Sequence, residues 1–146
     1  MERALVIVQD SENGRELVKL AGKIISGLDG TLLIVFPRSE SSYEEELQRK
    51  ARSGVQIESM EDALGVAERI ADSVAKDALA DHNVEYETRG FLGEIPEDLL
   101  RLAEDEGCDH VFVTGEARSP TGKALFGDTA QRILLNFDGP VTSLIR

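Results

Sequence analysis

The chain has one cysteine, Cys108, so no disulfide can form within it. That absence fits a reducing compartment. Tryptophan is missing and aromatic residues make up only 5%, so the core has to be built from Val, Leu, Ile and Ala, within an apolar content of 41%. No stretch approaches the ~18 consecutive apolar residues of a membrane-spanning helix. The first apolar run, residues 4–8, is too short for a signal peptide, and a cytoplasmic protein is expected. Lysine is scarce: five of the 16 basic residues are Lys and 11 are Arg, against 28 Asp plus Glu. A formal net charge of -12 argues against nucleic-acid binding and against an anionic membrane surface, since both need clustered cations. Acidic surplus with little lysine fits a halophilic source, where roughly 1 M salt shortens the Debye length to about 3 Å and screens self-repulsion; it fits equally an ordinary acidic, soluble surface.

What is present is a regular alternation within 146 residues, the size of one domain, 1–146. Residues 4–8 (ALVIV), 31–36 (TLLIVF) and 111–114 (VFVT) are continuous apolar runs, the pattern of strands buried on both faces. Residues 84–88 and 141–145 alternate apolar and polar, as edge strands do. Helical spacing lies between them. Ser11 caps a helix carrying Leu17, Leu20, Ala21, Ile24 and Ile25 up to Gly27. A long helix from about 58 to 80 carries a core stripe from Met60 to Ala78. Pro96 stands in the first turn of a third helix that ends at Gly107. Leu125, Ala130, Ile133 and Leu134 mark a last one ending near Asn136. The polar stretch 37–56 reads as a mobile, partly helical excursion. This order implies right-handed βαβ units in a parallel sheet.

In such a sheet, ligands bind beyond the carboxyl ends of the strands, where strand order reverses. Three stretches should meet there: residues 8–11, Phe36-Pro37, and the turn after residue 114. That turn, 114–129, joins a buried strand to a helix and holds three glycines, Arg118, Lys123 and several hydroxyls. Backbone N–H groups and a helix N-terminus can cradle phosphate there. It is not a Walker loop, because Ala117 and Ala124 occupy positions where that motif needs Gly and Ser/Thr.

The opening 4–14 (ALVIVQDSENG), the 84–88 strand with Gly93-Glu94-Ile95-Pro96, the 114–129 loop and Pro140-Val141 come in a telling order. Together they make the chain resemble the universal stress protein family over essentially its whole length. That family opens with I-L-V-x-V-D-G-S-E-N-S and closes with G-2x-G-9x-G-[S/T], a helix and a short strand. The resemblance implies a doubly wound five-stranded parallel sheet of order 3-2-1-4-5, helices on both faces, of the adenine nucleotide alpha hydrolase-like kind. It also implies a stress-response regulator that binds ATP or a related nucleotide, with Mg²⁺, and pairs as a homodimer through its last strand. With the acidic surplus, it suggests a halophilic archaeal member. Carried over by position, Val8, Gln9 and Phe36 face the base. Gly115, Arg118, Ser119, Gly122, Gly127, Asp128 and Thr129 face ribose and phosphates. The loop is degenerate: Gln9 replaces the family's Asp, and Asp128 replaces the Ser/Thr after the last glycine.

Other residues have plainer readings. Cys108, with no cation nearby in sequence, reads as a small buried hydrophobe, and His82 and His110 as surface or capping residues. Ser11 is a cap, not a nucleophile. Two other functions stay open: an interaction module that no longer holds nucleotide, and a slow nucleotide hydrolase, for which no base–nucleophile pair is visible.

Overall fold

A computed structural model describes residues 2–9, 11–54, 59–115 and 127–145. Five parallel strands form one sheet in the order β3-β2-β1-β4-β5. They are β1 (Arg3–Ile7), β2 (Thr31–Ser39), β3 (Glu85–Gly93), β4 (His110–Thr114) and β5 (Val141–Leu144). The helices between them are α1 (Glu12–Ser26), α2 (Glu40–Ser53), α3 (Met60–Ala78), α4 (Glu97–Asp105) and α5 (Asp128–Asn136). The fold is the doubly wound 3-2-1-4-5 sheet.

The continuous apolar runs are explained by two cores, one on each face. Ala4 and Val6 of β1, with Val8 just beyond its end, join Leu32, Ile34 and Phe112 under α1 and α3. The residues between them, Leu5 and Ile7, join Leu33, Val35, Val111 and Val113 under α4 and α5. Side chains alternate faces along a strand, so a strand covered on both sides must be apolar at every position. Register ties the layers together: Leu5 of β1 lies between Leu33 of β2 and Val111 of β4.

The caps form as the sequence indicates at α1, where the Ser11 hydroxyl accepts from the Gly14 N–H at 3.1 Å. The segment 37–56 differs. β2 continues through Pro37 to Ser39, where an excursion was expected, while residues 40–53 form α2, in line with the expected helical part; residues 55–56 lie outside the described residues. The reason is local pairing. Phe36 to Ser39 stay in register with Gly90 to Gly93 of β3, and the Arg38 guanidinium lies 5.9 Å over the Tyr43 ring and ion-pairs with Glu46. β3 likewise runs to Gly93 instead of ending at 88. Pro96 caps α4 from outside its first turn. Met60, the first residue of α3, is 55% exposed, and the buried stripe is Ala63, Ala67, Ala71, Val74, Ala75 and Ala78. These small residues let α3 lie close on the sheet.

Ion pairs lace β3 to β1 and α4. Arg89 holds Glu106 at 2.8 Å and Glu87 at 3.0 Å, and Arg3 reaches Glu87 at 3.1 Å. The bond from Arg89 holds the Glu87 carboxyl below its usual range.

Cys108 is buried, as expected, and burial pushes its thiol pKa up. No cation neighbours it in sequence, but the fold brings the positive charge of Arg3 close enough to oppose that rise. His110 is not a surface residue. It is half-buried, stacks on Phe112 at 4.4 Å and sits 2.8 Å from the Thr142 hydroxyl. Burial lowers its pKa.

Candidate functional site

β1 has β2 on one side and β4 on the other, so the crossovers diverge at its carboxyl end. A cavity of about 740 Å³ opens there, within the range of ligand-sized pockets, roughly 300–1,000 Å³. Its floor is made by Ile7, Val8 and Val113, continuing the strands of both cores. Phe36, Pro37 and Ser39 contribute a wall from the extension of β2, and Ile95 closes the side toward α4. Gln9 and Thr114 stand at the tips of β1 and β4. Gly127, Asp128, Thr129 and Ala130 bring the first turn of α5 to the opposite lip.

Gln9 is held by its backbone. Its carbonyl accepts from the Ser11 N–H at 2.9 Å, and the preceding Val8 N–H donates to Val35 at 2.9 Å. The side-chain amide is left exposed at the cavity mouth. An amide offers a donor beside an acceptor, as one edge of a nucleobase does.

At the other lip, Gly127 is the N-cap of α5 and makes no side-chain cap bond. Asp128 follows, with its side chain 82% exposed and 3.5 Å from Arg132, which also pairs with Glu97. Asp128 is the sole charged side chain among the described residues that line the cavity.

Six of the ten residues assigned from sequence therefore line one cavity: Val8, Gln9, Phe36, Gly127, Asp128 and Thr129. Gly115 stands apart from the lining; its N–H donates to Leu144 at 2.8 Å, and Ile145 and Ser143 press on the side where a Cβ would stand, at 3.0 and 3.2 Å. Arg118, Ser119 and Gly122 lie outside the described residues. Ile95 and Ser39 were not foreseen as lining. The available signal for Ile95 was an apolar residue in the turn after β3, which leaves the sheet at the same end as β1. Ser39 carried no such signal, because its position depends on how far β2 extends.

Residues 1–144 match the model of the Universal stress protein family. The chain belongs to that family. No curated protein matches it. Among solved structures, a universal stress protein from Archaeoglobus fulgidus is 18% identical, with a TM-score of 0.68 and coverage of 98% of both chains. A universal stress protein in complex with cAMP is 18% identical at TM-score 0.62, covering 99% of this chain and 96% of that one. The Archaeoglobus fulgidus protein in complex with dAMP is 14% identical at TM-score 0.63, covering 98% and 97%. At these identities the likeness speaks for the fold. It agrees with the strand order found here.

Among the described residues, no group of three or more His, Cys, Asp or Glu side chains gathers as a protein-held metal requires. Mg²⁺ commonly binds through one or two carboxylates plus substrate phosphates. Among the described residues lining the cavity of this universal stress protein, Asp128 is the one carboxylate. No helix among the described residues is long and apolar enough to cross a membrane.

Proposed function

We propose that the chain is a stress-response regulatory protein that takes an adenine nucleotide, ATP or a relative, at the carboxyl ends of β1 and β4. The observation that carries this reading is one cavity joining the exposed amide of Gln9 to the N-terminus of α5, two stretches over a hundred residues apart in sequence. An apolar floor suits a flat base, and first-turn N–H groups suit oxygen-rich groups. Solved family members in complex with cAMP and dAMP support the same reading. Mg²⁺ enters with the triphosphate, and the working compartment is a cytoplasm, a salty one if the acidic surplus is its adaptation.

Thermal melts with ATP, AMP, cAMP and adenosine test it. Ligand at 100 times its Kd adds about 2.7 kcal/mol, which raises Tm by roughly 5–10 °C in a domain of this size. No shift with any of them at millimolar concentration would leave the interaction module as the better account. Phosphate release under the same conditions would instead point to the hydrolase.

A homodimer through β5 belongs to the same proposal. β5 pairs with β4 on one side, and its other edge is the kind that a twin strand completes. Sedimentation should give twice the monomer mass, and Leu144→Lys should return it to the monomer. An unchanged mass in that variant would exclude this edge.

A further inference from the structure

We infer that Asp128 selects the ligand's chemistry at the α5 end of the cavity, favouring a sugar diol and opposing an uncapped phosphate. The inference rests on the nucleotide reading above and sharpens it. Asp128 opens α5, and its neighbours Gly127, Thr129 and Ala130 line the cavity with it. The N-terminus of a helix carries partial positive charge and draws an anion. Here the chain supplies its own anion at that position. The carboxylate is 82% exposed and is tied to Arg132 at 3.5 Å, while Arg132 is shared with Glu97.

An ionised carboxylate accepts hydrogen bonds and donates none. Vicinal hydroxyls supply two donors side by side, which is how an acidic residue grips a ribose in dinucleotide folds. A bare phosphate supplies only acceptors and negative charge. In near-aqueous surroundings, a like charge about 4–5 Å away costs roughly fivefold in affinity per unit charge. A divalent cation on the phosphates cancels that cost. The ligand class is therefore a ribonucleoside, or a nucleotide whose phosphates avoid α5 or carry a cation.

Calorimetry with adenosine, 2′-deoxyadenosine and ATP, the last in EDTA and in Mg²⁺, decides it on the wild-type protein and on Asp128→Asn. That substitution keeps the side chain's shape at an exposed position, and Asp128→Ser serves as a second variant. Neutralising Asp128 should move the ligands in opposite directions. Adenosine should weaken about tenfold, losing its advantage over 2′-deoxyadenosine. ATP in EDTA should tighten at least fivefold, and the benefit of Mg²⁺ should shrink. Equal losses for adenosine and ATP, or no change in either, would overturn the role of Asp128 and leave the nucleotide site standing. Absence of binding by the wild type to all of them would overturn the site as well.

Discussion

Gly14→Ala should weaken nucleotide binding about tenfold while leaving the fold intact. Gly14 lies in the first turn of α1, where alanine would normally be favoured by about 1 kcal/mol. A Cβ at this position, however, would stand 2.0 Å from the Gln9 carbonyl oxygen, 3.1 Å from its carbon and 3.2 Å from its nitrogen. All three are backbone atoms, so no side chain can turn aside. One partner has to move. α1 is anchored by Leu17, Val18, Ala21 and Ile25, each 0% exposed, whereas Gln9 is exposed at the cavity mouth. The Gln9 peptide therefore yields, breaking its 2.9 Å bond from Ser11 and swinging the amide away from the position proposed for the base. Losing one hydrogen-bonded contact to a ligand is worth about 1.4 kcal/mol, or tenfold. A double-mutant cycle checks the route. If Gly14 acts through Gln9, the double variant Gly14→Ala, Gln9→Ala binds no more weakly than Gln9→Ala alone. Additive losses would mean that Gly14 acts elsewhere. Amide exchange gives a readout that needs no ligand: the Ser11 N–H should exchange faster in Gly14→Ala, with the core amides of α1 unchanged.

Gly90→Ala should destabilise the protein by about 3 kcal/mol, the upper end of ordinary overpacking. In a strand, replacing glycine by alanine ordinarily helps, because it reduces the entropy of the unfolded chain. Here a Cβ would meet the Leu64 carbonyl oxygen at 2.4 Å, the Glu68 nitrogen at 2.7 Å and the Ala67 Cβ at 2.9 Å. These belong to the backbone and the shortest side chain of α3, so the helix as a whole has to lift. Lifting it opens the core that Ala67, Ala71 and Val74 close, all at most 1% exposed. The expected loss in Tm is roughly 6–12 °C, with a lower urea midpoint at unchanged m-value. Gly90 pairs with Phe36, which lines the cavity, so residual binding should weaken too. Stability within about 0.5 kcal/mol of wild type would mean that α3 does not press on β3 as described.

The two glycines show where local pattern stops being informative. Gly14 looks like an ordinary polar-turn residue after Ser11, and Gly90 like an interruption that ends a strand at 88. Neither reveals a close approach, because the partner atoms come from Gln9 across a turn and from α3 across a layer. The same limit explains β3. Residues 89–93 carry an arginine and two glycines and do not alternate, yet they form a strand because β2 supplies hydrogen-bond partners as far as Ser39. α2 was only partly legible because it has little apolar face to detect; within its described residues Tyr43 is the buried one, held under Arg38. His110 was misread for a related reason. Phe112, two residues on along the same strand, shares its face, but Thr142 on the neighbouring strand becomes visible only once β4 and β5 are paired.

Read by itself, the sequence determined that β1, β2 and β4 are central, because a strand covered on both faces has to be apolar at every position. It also determined the helices that carry a buried stripe, the parallel order that their alternation with strands imposes, and the strand tips where a ligand could sit. The tertiary structure alone decided how far β2 and β3 run, that Ile95 and Ser39 wall the cavity, and that Asp128 faces Gln9's side of the molecule across it. Periodicity and propensity act between near neighbours along the chain. Register and the meeting of distant loops depend on packing between layers, which no local window contains.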